Sequence, residues 1–161
     1  MRFAPLLGAV TLAALQVGCP AETPAPSCND YTAPADFDAT KPAVSFSKDV
    51  MPIFSQSCAF STCHGSTTGP ANGVFLGRDP LRVYNAIVNV RGDEAQATPF
   101  VTPNDPRQSF LMRKLDGSQC ALDAQCTGGS CLESMPKNEG LLDLATRDKV
   151  RRWIAQGAKN D

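Results

Sequence analysis

The sequence has almost no net charge. Fifteen Lys and Arg stand against 16 Asp and Glu, leaving a formal net charge of -1. With no basic block to neutralise phosphates, no nucleic-acid partner is expected, and no field of one sign steers a partner of either charge. Histidine is nearly absent: His64 is the single one. Nothing resembles a Ser/His/Asp relay or a pair of catalytic carboxylates, so the chain is not expected to be an enzyme. There is no internal repeat and little of the apolar–polar alternation that marks strands. The longest apolar run, Ala4 to Leu15, falls short of the roughly 20 residues that span a bilayer.

That run nevertheless has a use. "MRFAPLLGAVTLAALQVGC" places Arg2 before an apolar segment of signal-peptide length, with small residues leading to Cys19. The pattern is similar to a bacterial lipoprotein signal, in which Cys19 becomes the lipidated first residue. An ordinary secretory peptide cut nearby is the other reading. Either one exports the protein to the cell envelope, tethered on the periplasmic side of a membrane or secreted, where disulfides persist. Residues 1–19 are then signal and 20–43 a Pro/Ala-rich tether with little to bury. Residues 44–161 form one small domain.

Seven cysteines suit such a compartment. If Cys19 is lipidated, six remain. Cys28, Cys120, Cys126 and Cys131 are disulfide candidates with three possible pairings. Cys58 and Cys63 can form a third disulfide or do something else.

The domain reads as all-α with long loops. "VSFSKDVMPIF" carries Phe46, Val50, Ile53 and Phe54 at helical spacing, with Ser47 as candidate N-cap and Pro52 tolerable only near the helix start. "RDPLRVYNAIVNV" has Asp79 as cap, Pro80 at the first helical position and Leu81, Tyr84, Ile87 and Val88 on one face. "TPNDPRQSFLMRKLDG" repeats the device with Asp105 and Pro106, points Phe110, Leu111 and Leu115 inward, and ends at Gly117. "LDLATRDKVRRWIAQGA" is the clearest helix, with Asp143 as cap, Val150, Trp153 and Ile154 on one face and Gly157 as terminator. Four short helices bury modest apolar area against chain entropy, so a domain of this size needs staples such as disulfides or a buried cofactor.

The chemistry concentrates in "SQSCAFSTCHG". Cys58 and Cys63 are separated by Ala59, Phe60, Ser61 and Thr62, and His64 follows the second cysteine directly. Covalent attachment of a c-type haem needs two thiols for the two vinyl groups, and an adjacent histidine whose imidazole reaches iron. The usual spacer is two residues; a longer one can bulge outward and still deliver both sulfurs. The alternative is a loop closed by a Cys58–Cys63 disulfide beside an incidental histidine. With one histidine, a second axial ligand within the chain would be a methionine. The candidates are Met51, Met112 and Met135, the last in the loop "ESMPKNEG". One histidine and scattered cysteines make no familiar zinc spacing.

"VSFSKDVMPIFSQSCAFSTCHG", "VTPNDPRQSFLMRKLDG" and "MPKNEGLLDLATRDKVRRWIAQGA" resemble, in that order, the small cytochrome c domain of exported planctomycete and myxobacterial proteins. The resemblance covers roughly Val44 to Ala158. It implies a cytochrome c-like helical fold with haem as part of the core. Cys58 and Cys63 would be thioether donors and His64 the proximal ligand. Met135 would be the distal ligand, and Trp153 would pack against the N-terminal helix near the haem edge. The family departs here in its spacer length and in the inserted loop "GSQCALDAQCTGGSCLES". The implied function is electron transfer through one covalent haem c, with envelope redox proteins as partners and the membrane reached through a lipid anchor. The other reading is a haem-free, disulfide-stapled envelope lipoprotein with a structural or binding role.

Overall fold

The computed structural model describes residue 28 and residues 30–161; the expected signal segment, Cys19 and the first part of the tether lie outside the described residues. The regular structure of the described chain is helical, in short elements joined by long loops, and its only β pairing is two isolated bridges, Val88 with Val101 and Arg91 with Pro99.

The first helix is capped by Ser45, not by the expected Ser47: the Ser45 hydroxyl accepts from the Lys48 amide at 3.3 Å. A π-turn, Phe46–Val50, leads directly into α1, Met51–Ser57. A continuous α-helix from Phe46 would need Pro52 to donate a backbone hydrogen bond to Lys48, and proline has no N–H to give. The wider turn leaves Pro52 in the first turn of α1, where the missing donor costs nothing.

Asp79 caps α2, Pro80–Ile87, accepting from the Arg82 amide at 3.1 Å. The buried face is Val83 and Ile87, four residues apart, with Tyr84 half-buried beside them. Leu81, expected inward, is 59% exposed, because two residues before Val83 it lies on the other side of the helix from that face. Asp105 and Pro106 start a separate 3₁₀ turn, Pro106–Gln108, rather than the main helix. α3, Phe110–Asp116, begins after Ser109, whose hydroxyl donates back to the Asp105 carbonyl at 2.8 Å. Gly117 closes α3 at φ 68°, a left-handed conformation natural to glycine. α4, Leu144–Ala155, is capped by Asp143, which accepts from Thr146 N at 2.9 Å.

Val150, Trp153 and Ile154 turn inward from α4. The Trp153 ring stacks on Phe46 at 4.9 Å, so the last helix packs on the π-turn that starts the first. α3 and α4 are joined by a largely buried ionic hub. Asp116 accepts from Arg147 at 2.7 Å and from both terminal nitrogens of Arg151, at 3.0 and 2.8 Å. Arg151 also donates to Asp148 at 3.0 Å.

The described part of the Pro/Ala-rich tether is held against this hub from Cys28 onward. Cys28 is bonded to Cys120. Tyr31 donates to Asp148 at 2.7 Å, and the Arg151 guanidinium sits 3.3 Å from the Tyr31 ring centre. Gln156 donates to the Pro42 carbonyl at 2.9 Å. The second disulfide, Cys126–Cys131, closes a short loop ahead of the last helix. These bonds settle one of the three pairings that the sequence leaves open.

Candidate cofactor site

α1 delivers Cys58 to its own C-terminal end, where the Cys58 amide donates to Phe54 O at 2.8 Å. The chain then folds back on itself. Cys63 N donates to Phe60 O at 2.9 Å, His64 N to Cys58 O at 3.3 Å and Gly65 N to Phe60 O at 3.0 Å. The four intervening residues therefore loop outward, and Phe60 at their turn is 56% exposed. Gly65 is required for this closure: a Cβ there would lie 2.1 Å from the Ala59 carbonyl oxygen. The following segment returns to pair with the motif, Ala71 N with Cys63 O and Leu76 N with His64 O, each at 2.8 Å.

Cys58, Cys63 and His64 all face one cavity of about 310 Å³, within the range of small-molecule and cofactor pockets. Its wall is largely apolar, with Val74, Leu76, Phe100, Phe110, Leu111 and Leu115. Met135 and Pro136 complete it from the loop before α4. Of the three methionine candidates, only Met135 lines this cavity. Met51 and Met112 are core residues, 4% and 1% exposed. Trp153 packs from the last helix against Phe46 at the start of the first, as expected, and is not itself part of the cavity wall.

Cys58 and Cys63 are not bonded to each other and both are free thiols. Burial, and secondarily the neighbouring Cys63, push the Cys58 thiol up to about 12. It is therefore a neutral S–H at physiological pH. The His64 imidazole is shifted in the opposite sense. Burial disfavours its charged form and lowers its pKa, against the pull of the Val74 and Ala71 carbonyls. His64 Nδ1 is 3.1 Å from Val74 O. A carbonyl can only accept, so Nδ1 carries the proton, and the neutral ring keeps its lone pair on Nε2, the atom a metal would use. The carbonyl thereby sets both tautomer and ring orientation.

Two cavity residues went unremarked in the sequence. Lys114 Nζ is 2.7 Å from Glu94 Oε1, and both side chains are nine-tenths or more buried. The pattern held a signal for Lys114: it falls four residues after Phe110 on the inward face of α3. Nothing local marks Glu94, which lies in a loop.

Comparison with protein-family models, curated proteins and solved structures finds no match for this chain.

No group of three or more His, Cys, Asp or Glu side chains gathers to hold a bare metal ion among the described residues. The donors at the cavity are of another kind: two thiols, one neutral imidazole and one thioether around an apolar space. That set fits a covalently attached haem, whose macrocycle needs apolar walls and whose iron takes imidazole and thioether ligands. The two disulfides indicate an oxidising, extracytoplasmic compartment. No helix among the described residues is long and apolar enough to cross a membrane.

Proposed function

We propose that this chain is an exported c-type cytochrome domain of cytochrome c-like fold, which binds one covalent haem and passes electrons between envelope redox proteins. The observation that carries the proposal is the convergence of Cys58, Cys63, His64 and Met135 on a single apolar cavity, while the other four cysteines of the described chain pair among themselves. Cys58 and Cys63 would hold the macrocycle through thioether bonds. His64 Nε2 and the Met135 sulfur would bind its iron. When bound, the haem supplies one-electron redox chemistry at its iron.

The chain's own residues do the rest. The Val74 carbonyl keeps the imidazole in the tautomer that presents Nε2. Val74, Leu76, Phe100 and Phe110, each 8% exposed or less, keep water from the cavity wall. A largely apolar wall of this kind, with imidazole and thioether as ligands, would favour the reduced, less charged iron and raise the potential. The carboxylate of Glu94 at the wall is held by Lys114 and Asn72, and on this reading the domain carries electrons without bond-making chemistry of its own. Cys19 would provide the lipid anchor at the periplasmic side of a membrane.

The test is the intact mass and visible spectrum of the full chain, exported in a host with c-type maturation machinery. A covalent gain of one haem and a reduced spectrum of c type are expected. Met135→Ala should then lower the reduction potential and admit exogenous ligands. An unchanged potential would remove Met135 from the ligand set. A colourless chain of unmodified mass would sink the proposal and leave a haem-free, disulfide-stapled envelope lipoprotein.

A further inference from the structure

The loop that carries Met135 has no regular secondary structure of its own; Ser130 to Asp143 forms neither helix nor strand. A loop without a hydrogen-bond ladder needs other contacts to hold one side chain on a cavity wall. The Cys126–Cys131 disulfide, Gln119 and Asp123 hold its start, and three contacts nearer Met135 come from one residue. The Lys114 ammonium donates to the carbonyls of Cys131 and Glu133, the latter at 2.9 Å, and to Glu94 Oε1 at 2.7 Å. Its three protons are thus all used. The backbone carbonyl of the same residue accepts from the Met135 amide at 2.9 Å. Because Lys114 sits in α3, the loop is referred to a rigid element.

Glu94 continues the connection to the opposite wall. Its other oxygen accepts from Asn72 Nδ2 at 3.1 Å. Asn72 lines the cavity and belongs to the segment whose neighbour Ala71 is paired with the Cys63 carbonyl. Glu94 is itself fixed, since its carbonyl accepts from Thr127 N at 2.9 Å inside the Cys126–Cys131 loop. A buried ion pair is weak as a source of stability, because desolvation offsets its attraction, and apolar residues of the same volume often do as well. What it supplies is position: three directed bonds that an apolar pair could not make.

We propose that the buried Lys114–Glu94 pair is the latch that positions Met135, tying the methionine side of the cavity to the side that carries His64. Its geometric part holds whether or not haem is present. Its effect on the ligand rests on the function proposed above, and the test separates the two. Lys114→Met, Lys114→Arg and Glu94→Gln are made in the full chain. Amide hydrogen exchange is read in each, coloured or not. In Lys114→Met and Glu94→Gln, the Met135 amide should exchange at least about tenfold faster, as expected for losing charge-assisted hydrogen bonds. Amides of α1 and α4 should hold their rates, and Lys114→Arg should recover part of the protection.

In haem-loaded protein, Lys114→Met and Glu94→Gln should also lose the sulfur-to-iron charge-transfer band and fall in reduction potential, as expected for Met135→Ala. Unchanged Met135 exchange in folded Glu94→Gln overturns the latch. So does a uniform rise across all helices, which marks loss of general stability. Local release of the loop with an unaltered band and potential also overturns it as a positioning device for the ligand. If the chain proves colourless, the functional reading falls, and the exchange pattern still decides the latch. Should Lys114→Met fail to accumulate, Glu94→Gln and Lys114→Arg carry the measurement.

Discussion

Asp116 offers a direct test of how the cavity wall is supported. It ends α3, whose residues Leu111, Lys114 and Leu115 line the cavity, and its carboxylate is 4% exposed. Two arginines of α4 donate three hydrogen bonds to it. Asp116→Asn keeps the shape and removes the charge. Arg147 then loses its only carboxylate partner among the described residues, and Arg151 keeps Asp148 alone. Removing one member of a buried charge pair costs about 3–5 kcal/mol. The Arg147 side chain is 15% exposed and can take some water, and Arg151 stays partly compensated, so the lower end, about 3 kcal/mol, applies here. Against a total stability of roughly 5–15 kcal/mol that is a large fraction.

With a urea slope of about 1–3 kcal/mol per molar, the midpoint should fall by roughly 1–3 M. The control is Asp30→Asn. Asp30 pairs with Arg113 at 2.8 Å, but its side chain is 61% exposed. Solvent screens such a pair, so the change should stay within about 0.5 kcal/mol. Urea unfolding of the full chain and both variants, followed by tryptophan fluorescence of Trp153, reads the result. A midpoint shift for Asp116→Asn no larger than that for Asp30→Asn would refute the reasoning that this hub joins α3 to α4.

Three further outcomes are expected. In haem-free chain, made without maturation machinery, iodoacetamide near pH 8 should modify half-buried Cys63 well before Cys58, whose thiol burial pushes up to about 12; peptide mapping showing equal rates in native protein would count against this site geometry. The depressed pKa of His64 makes the folded state bind fewer protons than the unfolded one. Haem-free protein should hold full stability above the ordinary value of 6.5 and lose it as pH falls from there toward the folded value, by at most about 1.4 kcal/mol per pH unit. Urea midpoints at pH 7.5 and 5.5, compared with those of His64→Gln, check this; an undiminished pH slope in the variant would assign the effect elsewhere. Gly65→Ala should sharply reduce the yield of haem-loaded protein, because the added Cβ meets the Ala59 carbonyl. Gly69→Ala, with open space around it, should not. Equal yields of coloured protein from the two variants would show that the closed Cys58–Gly65 loop is not needed.

Much of the helical frame could be read from the chain because its determinants are local. Asp79 before Pro80, Asp143 before α4, and Gly117 and Gly157 after their helices act within a turn of where they stand. The Cys58–Cys63–His64 cluster was legible for the same reason. Where local signals competed, geometry chose between them. Ser45 displaced Ser47 as cap because Pro52 sets the register of α1, and Leu81 turned outward because Val83 and Ile87 share the buried face.

Other facts depend on residues far apart in sequence, which no local pattern links. Tertiary packing put Met135, the methionine the resemblance implies, at the cavity and Met51 and Met112 in the core, and it alone joined Cys28 to Cys120 across 92 residues. It also brought Glu94 to Lys114. In the sequence each is one ordinary charge among 31, and only burial of both in one wall turns them into a pair. The composition and the short motifs of this protein thus determined which chemical groups were available. The fold decided which of them meet, because a ligand set or a buried ion pair exists only where distant segments are held within bonding distance.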